Sequence, residues 1–370
     1  MIYFDNAATT YPKPQCVYEA VNEGMKFYSF NAGRGSYKVA KETYKMIENT
    51  REKISKVVNC AKNDVIFTSS ATESLNNILY GLQLTEMDNI YISPFEHNAV
   101  IRPLHALGLN YHLIPFDSKT WMVLENDLRN EFLINKPKIV VLSQISNVTG
   151  FELPYNLIFR IAKEFGAITI LDAAQGFGIF PIDKTYCDYI VFAGHKSLYA
   201  MFGIAGYLKL NNDFLKPYKI GGTGSDSLNP EMPEEKPNKY EAGSQNAVGI
   251  FSISKSLDYL MTKDYASDKI ELTKYLLSKL NSVNRIKIFL PTDYISRGIV
   301  SFAVEGYDSN DVGTILSEEF DICVRTGYHC APLIHDFINS RKYNGTVRIS
   351  LGIFNTKEEV DKLINCLKQL

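Results

Sequence analysis

Ala167-Ile168-Thr169-Ile170-Leu171-Asp172-Ala173-Ala174-Gln175 and, further on, Tyr189-Ile190-Val191-Phe192-Ala193-Gly194-His195-Lys196 decide the fold of this chain. Each is a short apolar run rich in β-branched and aromatic residues that breaks off at polar or small residues. Such runs read as buried strands. Working outward, the same signal recurs in Val65–Thr68, Asn89–Ser93, Lys138–Ser143 and Ile204–Leu210. Helical periodicity lies between them, over Glu73–Leu82, His97–Leu107 and Pro154–Phe165, the last with proline in its first turn. Strands alternating with helices predict an α/β fold around a largely parallel sheet.

The pattern stops over 217–240, which is rich in proline and glycine and reads as an ordered functional loop or a mobile segment. It resumes with helices over Ile250–Leu260 and Ile270–Leu280, strands near Gly298–Ala303, a helix near Asp311–Glu319 and a last helix from Lys357 to Leu370. That tail reads as a smaller α/β unit. A chain of 370 residues exceeds what one core usually holds, so one large and one smaller domain are expected.

Composition is that of a soluble globular protein, 45% apolar and 22% charged, with a formal net charge of −2. Basic and acidic residues are interspersed, which argues against a nucleic-acid or membrane-surface partner. No apolar run approaches the ~18 residues of a membrane span, and no secretory signal opens the chain. The six cysteines form no CxxC pair, so neither zinc nor a disulfide framework is expected and a reducing cytoplasm fits best. Asn147-Val148-Thr149 and Asn344-Gly345-Thr346 are read as chance sequons.

Asp172 and Lys196 both stand at carboxyl ends of predicted strands, where open α/β sheets bind ligands. Pyridoxal 5'-phosphate (PLP) needs a lysine for its Schiff base and a carboxylate that keeps the pyridine nitrogen protonated. Lys196 and Asp172 are candidates for these roles. Either alone reads as an ordinary strand-end residue; the pair gains weight from what surrounds it. Thr68-Ser69-Ser70-Ala71-Thr72-Glu73 lies between a strand and a helix, so its free backbone N–H groups suit a phosphate. Taken alone, Ser70 and Glu73 read as a plain capping box. Gly33-Arg34-Gly35 and Gly221-Gly222-Thr223-Gly224 are glycine-rich without a full dinucleotide or P-loop pattern. Arg325-Thr326-Gly327-Tyr328-His329-Cys330-Ala331-Pro332 sets a cysteine beside His and Arg in a Gly/Pro-bounded loop. Positive neighbours favour a thiolate, which makes Cys330 a candidate nucleophile. The other five cysteines sit in apolar or helical contexts and read as structural.

With these residues in hand, the chain resembles the class V aminotransferase group of fold-type I PLP enzymes, and within it the cysteine desulfurases. The likeness runs nearly end to end, from Tyr3-Phe4-Asp5-Asn6-Ala7-Ala8-Thr9-Thr10 to Val347-Arg348-Ile349-Ser350 and Asn355-Thr356-Lys357-Glu358-Glu359-Val360. Gly194-His195-Lys196 is shared across the class. The Arg325–Cys330 motif is narrower and looks like group II desulfurases, which include selenocysteine lyase-like members. The resemblance implies a large PLP-binding domain over 1–245 with a mainly parallel mixed sheet. It also implies a small C-terminal α/β domain over 246–370, and residues 1–15 packed on that small domain.

The resemblance also implies roles. Lys196 would hold PLP and move the substrate Cα proton, Asp172 would pair with the pyridine nitrogen, and Gln175 would bond the phenolic oxygen. His97 would stack on the ring and assist proton transfer. Ala71, Thr72 and His195 would hold the phosphate, joined by Ser244 from the second subunit of a homodimer. Arg348 would clamp the substrate carboxylate as a bidentate guanidinium can, assisted by Asn147, with Arg325 near the substrate or across the dimer. Cys330 would take sulfur from L-cysteine as a persulfide, leaving L-alanine, for an acceptor protein. Ala193 stands where many relatives have serine, Gly33-Arg34 where a His-Arg pair is common, and Tyr328 where His is frequent. Residues Gly222–Ser227 also differ from the usual group II loop. The alternatives are a selenocysteine lyase, a class V aminotransferase without thiol chemistry, and a non-catalytic PLP-binding partner protein.

Overall fold

The computed structural model describes residues 1–32, 35–212, 214–224 and 228–370. The chain opens on β1 (Ile2–Tyr3), followed by α1 (Gln15–Phe27) and α2 (Lys38–Val57). Then come β2 (Val65–Thr68), α3 (Ala71–Gly81), β3 (Asn89–Ile92), α4 (Asn98–Ala106), β4 (Tyr111–Leu113), α5 (Glu125–Ile134) and β5 (Pro137–Ser143). They are followed by α6 (Tyr155–Glu164), β6 (Ile168–Asp172), β7 (Tyr189–Ala193) and β8 (Ala205–Lys209). After the irregular stretch, α7 (Ala247–Leu260) and α8 (Tyr265–Leu280) lead into β9 (Ile286–Ile288), β10 (Ile299–Val304) and α9 (Ser309–Phe320). The chain closes with β11 (Ile322–Cys323), β12 (Arg325–Gly327), α10 (Ile334–Phe337), β13 (Thr346–Ser350) and α11 (Lys357–Leu367).

Strands β2 to β8 form one seven-stranded sheet in the order β2-β8-β7-β6-β5-β3-β4. The run β4-β3-β5-β6-β7 is parallel, while β8 is antiparallel to both β7 and β2. Side chains alternate across it as a pleat requires. Ile66, Ile90, Ile92, Val141, Ile170 and Val191 face α3 and α4, packing on Leu75, Ile78, Val100 and Leu104. Phe67, Tyr91, Val140, Leu142, Leu171 and Phe192 face the other way, onto Ile158, Phe159 and Ile161 of α6 and Ile250, Ile253 and Leu257 of α7. Both faces are covered, which is why these strands read as continuous apolar runs.

A second, four-stranded antiparallel sheet runs β12-β13-β10-β9. Its core joins Val300, Phe302, Val347 and Ile349 to Leu276, Leu316 and Leu363 of α8, α9 and α11. Phe4 belongs to this second core, and β1 pairs in parallel with β11, so the amino-terminal strand packs with the carboxyl-terminal unit. The packing does not change at 245/246, where the sequence placed a division. Helix α7 lies in the core of the seven-stranded sheet because Ala247, Ile250, Phe251 and Leu257 bury their apolar face there. No helix among the described residues is long and apolar enough to cross a membrane, and all six cysteines are free.

Candidate active site

The carboxyl ends of β5, β6 and β7 point to one place, as strand order and parallel direction require. There Lys196, Asp172, Gln175, Ala174, His97, Asn147, Ser143, Ala71 and Thr72 line a single pocket. Register explains the grouping, because Ser143 pairs with Asp172 and Asp172 with Val191. The turn after β7 needs glycine at 194, since a Cβ there would come within 2.5 Å of the Ile204 carbonyl oxygen. That close approach lets the chain double back, with Gly194 N–H donating to Ile204 at 3.0 Å, and places Lys196 in the pocket.

Loss of hydration is the leading influence on Lys196 and lowers its pKa, with Asp172 pulling the other way. Burial also raises the Asp172 carboxyl, opposed by a hydrogen bond from Ala174 N–H (3.0 Å) and by Lys196. Gln175 is held by its own amide, which donates to the Ala7 carbonyl at 2.9 Å.

The first turn of α3 forms half of the capping box expected from Ser70 and Glu73. Ser70 caps the helix by accepting from Glu73 N–H at 3.1 Å, while Glu73 accepts from Ser69 N–H at 2.7 Å instead of completing a box with Ser70. Because these bonds use neighbouring groups, the N–H groups of Ala71 and Thr72 make no hydrogen bond among the described residues. They face the pocket with the positive end of the helix behind them. His195 stands just outside. Its ring stacks on Phe202 with centroids 4.7 Å apart, its Nδ1 is buried without a partner, and burial lowers its pKa to about 4. Ser244 is not in this pocket. It is exposed and lines a separate cleft with Gly222, Gly224 and Arg51. Gly33-Arg34 and Ser225-Asp226-Ser227 lie outside the described residues.

His97 is both the cap of α4 and a wall of the pocket. Its Nδ1 accepts from Ala99 N–H at 3.0 Å, so the neutral ring carries its hydrogen on Nε2. Burial, then the positive charge of Lys196, lowers its pKa to about 4 and keeps it neutral near pH 7. Beneath it Glu96 is fully buried and accepts from Ser93 Oγ (2.5 Å), Ser143 N–H (2.9 Å) and Ser143 Oγ (2.9 Å). Burial raises its pKa to about 7 in spite of those donors. Glu96 thus ties the loop carrying His97 to the strand beside Asp172.

The Cys330 loop comes from the second sheet but is fastened to this pocket. The Cys330 carbonyl accepts from Asn98 N–H at 2.6 Å, and the His329 carbonyl accepts from the Asn147 amide at 2.8 Å. Both loop residues have positive φ, 48° and 55°, a conformation that non-glycine residues rarely adopt. The Cys330 side chain is exposed. Tyr328 is exposed as well and donates its hydroxyl to Asn344 at 3.1 Å. His329 is buried beneath, its Nε2 2.8 Å from Thr346 Oγ1.

Arg348, at the centre of β13, is 3% exposed. Its Nη1 donates to the Asn147 carbonyl at 2.9 Å, its Nη2 to Asp5 at 2.6 Å, and its Nε has no partner. A buried charged N–H left unpaired is costly, so this edge of the guanidinium is built for an acceptor. Arg325 is the cross-strand neighbour of Arg348 and is exposed. Asp5, Glu96 and Asn98 were given no role from the sequence, and His329, expected as a positive neighbour of Cys330, is instead kept neutral by burial, which lowers its pKa well below the ordinary value. Asp5 lay inside a quoted motif and Glu96 and Asn98 flank His97, but their partners Arg348, Ser143 and Cys330 are remote in the chain and leave no local signal.

The sequence matches the Aminotransferase class-V family over residues 2–363. The chain belongs to the class V aminotransferase family. Among curated relatives of this family member, a "Probable cysteine desulfurase" of Pyrococcus abyssi is 31% identical, over 100% of this chain and 94% of the relative. One from Vibrio cholerae is 30% identical over 98% and 92%. Among solved structures, an apo cysteine desulfurase from Thermococcus onnurineus NA1 superposes with TM-score 0.90 at 28% identity, covering 100% of this chain and 94% of that one. The cysteine desulfurase CsdA of Escherichia coli, in an S-sulfonic acid form, gives 0.83 at 28% identity over 99% and 94%. The α/β fold and the mostly parallel sheet of this class V chain match theirs.

Proposed function

We propose that this class V aminotransferase is a PLP-dependent L-cysteine desulfurase, with Lys196 as the cofactor lysine and Cys330 as the sulfur acceptor. The observation that carries the reading is the fastening of the Cys330 loop, through Asn98 and Asn147, to the pocket that holds Lys196 and Asp172. A transaminase has no need of a thiol in that place.

The residues present fit PLP. The Lys196 amino group makes no hydrogen bond among the described residues, the N–H groups of Ala71 and Thr72 are unpaired at the pocket, and His195 Nδ1 is buried without a partner just outside it. Asp172 would meet the pyridine nitrogen, Gln175 the phenolic oxygen, and His97 the ring face. Bound there, PLP supplies an electron sink for the charge left when the substrate Cα proton departs. Lys196, whose pKa is lowered by burial, would take that proton and return it. Arg348 would hold the substrate carboxylate, with its guanidinium anchored on the Asn147 carbonyl. Cys330 attacks as thiolate on the substrate sulfur. The new S–S bond forms as the C–S bond breaks, and the C–S electron pair stays with carbon, which is protonated to alanine. The persulfide leaves to an acceptor protein at the exposed loop. His97, neutral and tied at Nδ1, orients and does not titrate near pH 7. A second copy of the chain would bring Ser244 to the phosphate end.

Adding PLP to the purified protein is expected to produce a visible absorbance band that is lost in Lys196→Ala. A wild type that stays colourless, or a variant that keeps the band, contradicts the assignment.

A further inference from the structure

We propose that Asp5 is a specificity- and turnover-setting residue: a built-in carboxylate that half-neutralises Arg348 and limits how tightly the site holds a substrate or product carboxylate. The inference rests on the reading of Arg348 as the carboxylate residue and extends it to a residue with no role so far.

The geometry is asymmetric. Asp5 takes Nη2 at 2.6 Å, the Asn147 carbonyl takes Nη1 at 2.9 Å, and only Nε is left unpartnered. The Asp5 side chain is 15% exposed and that of Arg348 3%, so the pair is poorly screened. Asp5 cannot drift away. Its own carbonyl accepts from Tyr3 Oη at 3.2 Å, and the next two residues donate to Ser350, Asn6 N–H to its carbonyl and Ala7 N–H to its hydroxyl. A substrate carboxylate drawn to Arg348 therefore meets a guanidinium already paired with one anion. Arg325, across the strand pair, and Lys196 add positive charge around it, so Asp5 is the countercharge that keeps the site from becoming an anion trap.

The kinetic consequence follows from which states share the contact. The α-carboxylate is present in substrate, transition state and alanine alike, so strengthening its binding lowers KM without raising kcat and slows product release. Asp5 weakens a contact that gives no chemical advantage.

The test uses the PLP-loaded enzyme in low-chloride buffer, with propionate as probe and propionamide as control, by isothermal titration calorimetry. Asp5→Asn keeps an oxygen that can accept from Nη2 but removes the charge. It is expected to tighten propionate about tenfold, to leave propionamide unchanged, and to lower KM for cysteine with kcat equal or reduced. Asp5→Glu keeps the charge and reaches further over the guanidinium, so propionate should weaken at least about threefold. Equal propionate affinity in wild type and Asp5→Asn overturns the proposal. Should Asp5→Asn not fold, unchanged affinity in Asp5→Glu overturns it. An Arg348→Ala arm separates the two levels: if wild type binds propionate no better than Arg348→Ala, the carboxylate role of Arg348 itself is wrong.

Discussion

Four histidines, two buried and two half-buried, show how single residues set the conditions under which this molecule holds together. His97, His195 and His335 are lowered to about 4 by burial, and His329 is lowered well below its ordinary value. In the unfolded chain each would titrate near 6.5. Between about pH 6.5 and 4 the unfolded state binds more protons than the native one, so stability present above 6.5 is lost as the pH falls. Glu96 and Asp172, both raised by burial, act in the opposite sense, because the native state holds their protons more tightly. Four groups outweigh two. Urea denaturation is expected to show midpoints falling from pH 7.5 to 4.5, with a shallower fall in His335→Asn than in wild type. Stability that is flat or rises toward pH 4.5 contradicts the burial of neutral rings. From the sequence His97 and His195 were readable as site residues, each following or ending a strand. The closed surroundings that make them neutral were not, because burial is contributed by residues remote in the chain.

At the level of elements, the reactive groups stand where helix starts and strand ends coincide. Strand runs were legible because both faces of β3, β5, β6 and β7 are buried and write themselves as unbroken apolar stretches. Short strands such as β4, β9, β11 and β12 carry two or three residues each, too few for a period, and exist because a neighbour pairs with them. Helix α2 is long, but its core stripe includes Thr43, Thr50, Arg51 and Ser55, which hides the apolar face. Arg51 is the telling member. It is 1% exposed and donates to both Glu241 oxygens, at 2.8 and 3.0 Å, and to the Val65 carbonyl. Glu241 in turn accepts from Phe67 N–H at 2.7 Å. This cluster joins α2, β2 and the segment leading to Ser244. Arg51→Ala leaves Glu241 buried without its countercharge and is expected to cost about 3–5 kcal/mol of unfolding free energy. A loss below about 1 kcal/mol, typical of an exposed pair, would show that the cluster is solvated.

At the scale of the whole molecule, two sheets with separate cores divide the chemistry. The large sheet carries Lys196, Asp172 and His97, the small one Cys330 and Arg348, and hydrogen bonds from Asn98 to Cys330, from Asn147 to His329 and from Arg348 to Asn147 hold the halves in register. The alternation of strands and helices made the large sheet legible, and the motif around Cys330 marked the loop. How the amino-terminal strand crosses to the small sheet and delivers Asp5 to Arg348 could be read only in three dimensions, since 343 residues separate the pair. The division also states what has to be tested: whether the two halves act on one substrate molecule. The most direct measurement is a single turnover of PLP-loaded enzyme with one equivalent of L-cysteine, without reductant, followed by mass spectrometry of the intact chain and its peptides and by alanine analysis. One alanine per site is expected, with the mass of one added sulfur atom on the peptide containing Cys330, absent in Cys330→Ser. Alanine formed at the wild-type rate in Cys330→Ser, or sulfur retained on another cysteine, would contradict that expectation.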